Sequence, residues 1–195
     1  AGAEQIQAAI ETGADIIIAG RTTDTAIIAA LPIMQGESAG AAWHGAKIGE
    51  CGALCATNPQ SGVVIIEFDG DSFTVIPLAD GAHASPHTVS AHMLYENSDP
   101  FILYEPGGYL DVTNAKYTAI DDTRVRVTRS NWVPSDQYTV KLEGARGAGF
   151  QCVLVTLLRD AHYVKNASIW ANDIIEKCRD KVGARLGLDP NEIGR

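Results

Sequence analysis

The stretch VVIIEFDGDSFTVIPL, residues 63–78, leaves this chain few choices. Two runs rich in β-branched and aromatic residues flank Asp69-Gly70, the dipeptide that a tight type I′ hairpin turn prefers. Any fold for the chain must therefore contain an antiparallel ladder at this point.

On the N-terminal side the pattern changes. Ile6, Ala9 and Ile10 recur at helical spacing and Gly13 closes the segment, so residues 3–12 read as a short helix. ADIIIAG, residues 14–20, reads as a strand buried on both faces, as a parallel sheet requires. Thr23 or Asp24 can cap the next helix, TAIIAALPIM, with Pro32 near its end or kinking it. Residues 41–56 are rich in small residues and helical in pattern, although Gly45, Gly49 and Gly52 each cost about 1 kcal/mol relative to alanine, so something must pack close to them.

Beyond the hairpin, Ser85-Pro86 supplies an N-cap and a first helical proline for PHTVSAHMLYEN. From Phe101 to Leu158 the text is mostly strand: FILYE, AKYTAI, RVRVT, QYTVKLEG and GFQCVLVTLL. Tyr138, Val140 and Leu142 alternate with Thr139, Lys141 and Glu143, a half-exposed antiparallel strand, whereas FQCVLVTLL lacks alternation and belongs at a sheet centre. Asp160 can cap a final helix whose stripe of Val164, Ala167, Ala171, Ile174, Cys178 and Val182 opposes Lys165, Asp173, Glu176 and Arg179.

The expected fold is α/β in the mixed α+β sense. A short parallel βα portion leads, antiparallel strands follow, and a C-terminal helix packs on the sheet. One domain spans residues 1–195, with 161–195 as the docking helix.

Length and composition narrow the function. A chain of 195 residues, 46% apolar and 20% charged, can bury a core without disulfides or metals. Its formal charge of -9 argues against nucleic-acid binding, which needs a basic stripe to displace counterions. Residues 159–195 differ from the rest, with 7 basic and 6 acidic side chains against 8 and 18 before them. Four irregularly spaced cysteines suggest reduced thiols and a cytoplasmic location. No apolar run approaches the roughly 18 residues of a membrane span. The abrupt AGAEQIQAAIETG start and polar LGLDPNEIGR end suggest a piece of a longer chain, some of whose site residues would lie elsewhere.

Several segments have chemistry to offer. In Gly20-Arg21-Thr22-Thr23-Asp24 a strand is expected to hand over to a helix whose free amides favour an anion. Arg21 and the Thr22 and Thr23 hydroxyls would hold a carboxylate or phosphate there. Equally, Asp24 caps, Arg21 faces water and the turn does nothing more. Cys51 and Cys55 lie four apart on an expected helix face, too few ligands for zinc without a second cluster. Glu50, a carboxylate among small apolar residues, is a candidate acid or base if desolvated. His83, His87 and His92 do not share a metal, since Pro86 separates the first two and the last two lie about 140° apart on a helix. His83 or His87, near a helix start, is the better general base, and plain surface histidines remain the alternative. YEPGGYLD and KLEGARGAGF combine glycines with Glu105, Asp111, Glu143 and Arg146; Gly107 and Gly108 would admit a ligand to the backbone, and hairpin turns explain them equally.

Taken together and in order, ETGADIIIAGRTTDTAI, IGECGALCA, LYENSDPF, EPGGYLDVTNAKYTAIDDTRVRVT, YTVKLEGARGAGFQ and LLRD resemble the acyclic terpene utilisation, or AtuA-like, family over most of residues 1–160. The chain departs from that family's text at TNPQSG, which lacks the expected glycines. The resemblance implies a C-terminal part of a longer protein acting in bacterial breakdown of branched terpenoid acids as CoA thioesters. It points to Gly20-Arg21, Asp24, Glu50-Cys51, Glu105 with Gly107 and Gly108, Glu143-Gly144 and Arg159-Asp160 without giving them roles.

The combined expectation is a catabolic enzyme or enzyme subunit for a small branched carboxylic acid or its acyl-CoA, of lyase, hydratase or acyl-transfer type. Arg21 and its turn would bind the anionic end, and Glu50, His83 or His87 would move protons. No cofactor is indicated by the sequence, and no metal site, nucleic acid or membrane is expected. The rival expectation is a non-catalytic binding or assembly subunit, as a homo-oligomer or with a small partner.

Overall fold

A computed structural model describes residues 2–59, 62–140, 142, 144–149 and 155–193. They form two compact units, Ala1–Gly144 and Ala145–Arg195.

The first unit begins with three helices: α1 Ala3–Glu11, α2 Asp24–Met34 and α3 Ala39–Gly49. The hairpin follows as β1 Val64–Asp69 and β2 Ser72–Pro77, then the short helix α4 Pro86–Ala91. The remaining strands are β3 Ile102–Glu105, β4 Gly108–Asp111, β5 Lys116–Ala119, β6 Val125–Thr128 and β7 Asn131–Pro134. They make two antiparallel sheets, one ordered β1-β2-β6-β5 and the other β3-β4-β7. The mixed α+β class is as expected.

The parallel βα portion is not. Residues 14–20 form no strand, and Ile16 and Ile18 are 81% and 94% exposed. A strand exists only by sharing its amides with a neighbour, and no strand lies along this run among the described residues. An apolar run alone cannot supply that neighbour. Both sheets are antiparallel throughout.

Hairpin β1–β2 pairs Asp69 with Ser72, so its two loop residues are Gly70 and Asp71 rather than Asp69 and Gly70. Gly70 alone of the two has a positive φ, 65°, the pattern of a type II′ turn with glycine first. At the β3–β4 turn Glu105 pairs with Gly108, which leaves Pro106 and Gly107 at the tip. Gly107, at φ 86°, takes the left-handed position that follows proline in a type II turn.

Helix α3 is the centre of the unit, with every residue from Gly40 to Ile48 buried. It is shorter than the expected 41–56 helix. Glu50 leaves helical geometry, Cys51 turns left-handed at φ 51°, and a 3₁₀ turn carries Gly52–Cys55, so Cys51 and Cys55 do not share a helix face. The close packing expected for the small residues is present. A Cβ on Gly45 would lie 2.6 Å from the Phe68 ring, and one on Gly40 would run into the Ser130 carbonyl. Trp43 stacks on Trp132 of β7 at 4.9 Å, while Phe73, Val75, Val125 and Val127 supply the four-stranded sheet's share of the core. Alanines 26, 29 and 30 bring α2 against the same helix.

His44 sits fully buried within this core, with Nδ1 2.7 Å from Ser130 Oγ and Nε2 3.2 Å from the Tyr117 hydroxyl. A neutral ring satisfies both contacts, one nitrogen donating and the other accepting. Burial pushes its pKa down from 6.5 to about 3 and that of Tyr117 up to about 12.

Other expected elements are trimmed or absent. PHTVSAHMLYEN is helical only over Pro86–Ala91, with a 3₁₀ turn at His92–Leu94. Ser85 caps it, its Oγ accepting from the Thr88 amide at 3.1 Å while Thr88 Oγ1 accepts from the Ser85 amide at 2.9 Å, a reciprocal capping box. Residues 137–140 join no ladder; Tyr138 instead hydrogen-bonds the Glu4 side chain, beside α1. Much of GFQCVLVTLL, residues 150–154, lies outside the described residues, and 155–158 carry no strand.

In the second unit the expected single helix is two, α5 Ala161–Lys165 and α6 Ala167–Leu186. Asp160 caps the first as expected, accepting from the His162 amide at 2.8 Å. The break falls at Asn166, whose side chain donates to the His162 carbonyl at 2.9 Å and so competes with the helical ladder. The expected stripe is therefore split, with Val164 on α5.

Two predictions follow from the core. Gly40→Ala should lower unfolding free energy by about 1–3 kcal/mol, read as a shifted urea midpoint, whereas Gly144→Ala, with nothing within 4 Å of the added carbon, should change it by less than about 0.5 kcal/mol. For His44 the folded pKa is depressed, so the unfolded chain takes up a proton below about pH 6.5 that the folded one refuses. Its contribution is complete above that pH and is lost as pH falls toward 3, by up to about 1.4 kcal/mol per pH unit. His44→Gln should remove that slope from urea titrations compared between pH 7 and pH 5.

Candidate functional site

Two helix ends build one cleft of about 480 Å³ in the first unit. The N-terminus of α2 contributes Arg21, Thr22, Thr23 and Asp24, and the C-terminus of α3 contributes Lys47 and Glu50. Glu96 and Asn97, just after the His92–Leu94 turn, line it too.

Local chemistry sets each wall. Thr23 is the N-cap of α2, its Oγ1 accepting from the Ala26 amide at 3.3 Å, so Asp24 is the first helical residue. The Gly20 carbonyl accepts from the Thr22 amide at 3.2 Å and tightens the approach. Thr22 Oγ1 is out of contact with water and makes no hydrogen bond among the described residues, a state that costs about 1–3 kcal/mol without a partner. The largely buried Thr25, which also borders the cleft, donates to Glu105 Oε1 at 3.2 Å. Glu105 thus supports the helix start from the end of β3 without lining the cleft.

On the opposite wall Lys47 Nζ lies 2.7 Å from Glu50 Oε2, with the two side chains 6% and 13% exposed. Lys47 belongs to the last turn of α3, where a cation meets the negative end of the helix. The Glu50 backbone is held twice: its amide donates to the Ala46 carbonyl at 2.9 Å, and its carbonyl accepts from His92 Nε2 at 3.0 Å. Burial lowers the His92 pKa; the Glu50 carbonyl opposes that shift and nearby Lys47 adds to it. A neutral His92 therefore serves as a backbone clamp. It stacks on Tyr95 at 5.6 Å, and the Tyr95 hydroxyl reaches Cys51 Sγ at 3.7 Å.

The structure brings Arg21, Thr22, Thr23, Asp24 and Glu50 together from the residues singled out in the sequence, and leaves the others elsewhere. His83 is exposed, its Nδ1 3.2 Å from the Asp122 carbonyl. His87 is exposed on α4 and borders a separate hollow. Gly107 forms the β3–β4 turn, and Gly108 lies against the Val133 backbone and the Trp132 ring, a packing role. Asp111 accepts from the Thr113 amide at 2.9 Å, closing a turn. Arg146 is exposed in the second unit, and Glu143 lies outside the described residues. Lys47 was not anticipated, although its place three residues before Glu50 on a helix makes the pair legible. Among the described residues no group of three or more His, Cys, Asp or Glu side chains is arranged to hold a metal.

Fold and cleft together define a mixed α+β protein with a polar hollow of small-molecule size between two helix ends. Comparison with family models matches residues 1–187 to the acyclic terpene utilisation family protein AtuA, and the chain belongs to that family. Its role accordingly lies in acyclic terpene utilisation, a catabolic process. No match was found among curated proteins or among solved structures. Among the described residues no helix is long and apolar enough to cross a membrane.

The Lys47–Glu50 pair gives a direct test of the cleft wall. Lys47→Met should destabilise the fold by about 1–3 kcal/mol, because it strands a largely buried carboxylate. Adding Glu50→Gln should restore part of the loss, a coupling readable from thermal melts of the two single variants and the double variant.

Proposed function

We propose that this protein is a catabolic enzyme, or the substrate-binding subunit of one, that receives a small branched carboxylic acid or its CoA thioester in the polar cleft. One observation carries the reading: Arg21 and the α2 N-terminus face the same 480 Å³ space as the Lys47–Glu50 pair. The positive end of α2 and the Arg21 guanidinium suit a carboxylate or a polarised thioester carbonyl. Glu50, its carboxylate fixed by Lys47, is the group placed to take or return a proton, as a lyase, hydratase or acyl-transfer step requires. His83 and His87 do not border this cleft, so proton transfer is assigned to Glu50. The thiols of Cys51, Cys55 and Cys178 are free, in keeping with a reducing compartment such as the cytoplasm.

A second reading, an assembly subunit, is favoured by the exposed apolar Ile16 and Ile18. One experiment separates the two. Under the enzyme reading, calorimetric titration with 3-methylbutanoate and with 3-methylbutanoyl-CoA gives saturable binding that Arg21→Ala weakens at least tenfold, while Glu50→Gln binds normally and does not turn the thioester over. Silent titrations combined with concentration-dependent self-association in sedimentation would favour the assembly role and remove the enzyme.

A further inference from the structure

The first unit contains another hollow, about 360 Å³, that shares no lining residue with the polar cleft. Helix α4 and the following 3₁₀ turn provide one side, including His87, Ala91, Met93 and Leu94. The start of β3 and the β4–β5 connection provide Phe101, Val112 and Ala115. Tyr117 adds its ring, with its hydroxyl engaged by the buried His44.

The chemistry of this lining is one-sided. No Asp, Glu, Lys or Arg borders it, and His87 is the single residue there able to become a cation. Met93 and Val112 form a buried apolar floor, whereas Leu94 and Phe101 stand 68% and 54% exposed at its edge. Large apolar side chains exposed around a concave apolar floor favour a hydrocarbon occupant. The volume lies near the lower end of the roughly 300–1,000 Å³ spanned by small-molecule sites, which suits a chain of about ten carbons. A nucleotide would find no lysine or arginine here to neutralise its phosphates.

We propose that this hollow is a second small-molecule site, which binds an acyclic, methyl-branched carboxylic acid as the free acid. Its hydrocarbon lies on Met93, Val112 and Phe101, and its carboxylate accepts a hydrogen bond from the His87 ring. The ligand class follows from the apolar walls, the volume and the family's place in acyclic terpene utilisation. The proposal does not depend on what occupies the polar cleft.

The chain has two methionines, and only Met93 lines the hollow, so methyl-¹³C-methionine NMR reports occupancy with Met34 as an internal control. Titration with 3,7-dimethyloctanoate should move the Met93 signal to saturation and leave Met34 in place. Shortening to 3-methylbutanoate should weaken binding by about fourfold for each methylene lost. Ala115→Phe, which fills the hollow, should weaken it at least tenfold; Phe101→Asp, at an exposed position, should do the same if the first variant fails to fold. His87→Ala should weaken the acid severalfold and leave 3,7-dimethyloctan-1-ol unaffected. Arg21→Ala should leave the Met93 titration unchanged, so failure of the cleft reading and failure of this one are separable. An unmoved Met93 signal, saturation that persists unaltered in both Ala115→Phe and Phe101→Asp, or equal affinity for unbranched decanoate would overturn the proposal.

Discussion

The fold rests on how closely other elements approach helix α3. A helix carrying glycine at 40, 45 and 49 and alanine at 39, 41, 42 and 46 has almost no side-chain thickness over much of its surface. Backbone from β7, rings from β1 and a second helix can therefore press against it from several sides. The two ring residues it carries, Trp43 and His44, are each matched to a partner ring. Glycine lowers helix propensity, so this segment is helical because its surroundings hold it, and packing outweighs the intrinsic preference. Both sheets meet the same helix without sharing a ladder, which makes α3 the element through which they are joined.

What the sequence revealed follows from how local each signal was. The β1–β2 hairpin and the caps at Thr23, Ser85 and Asp160 need only a few adjacent residues, and all were legible. The turn itself slipped by one residue, because Asp-Gly suits the type I′ position while the ladder register placed glycine first in the loop. Strands β4 and β7, four residues each, are too short to display alternation. The reading failed at 14–20 because apolarity was taken for strand formation, which depends on a partner that no local pattern specifies. Likewise the end of α3 at Glu50 depends on His92 gripping the Glu50 carbonyl, a contact spanning 42 residues.

The candidate site shows the same division. Arg21 through Asp24 announced themselves as a polar corner before a helix, and Glu50 as a carboxylate in small apolar text. Their meeting in one cleft could not be read, because it results from α2 and α3 packing side by side. Lys47 was not singled out, because its role depends on the particular carboxylate that the end of α3 brings beside it. Histidines drew attention by residue type, yet the two most enclosed ones, His44 and His92, hold structure in place as neutral rings.

The bond from His44 to Ser130 closes a span of 86 residues. During synthesis α3 therefore emerges well before the wall that will enclose it, and loop closure of that length must precede the reward of native contact. A leucine-rich helix would expose a sticky stripe throughout that interval. One made mostly of glycine and alanine offers little for other chains to seize, so the composition that permits such tight enclosure at the end also protects the nascent polypeptide while it waits.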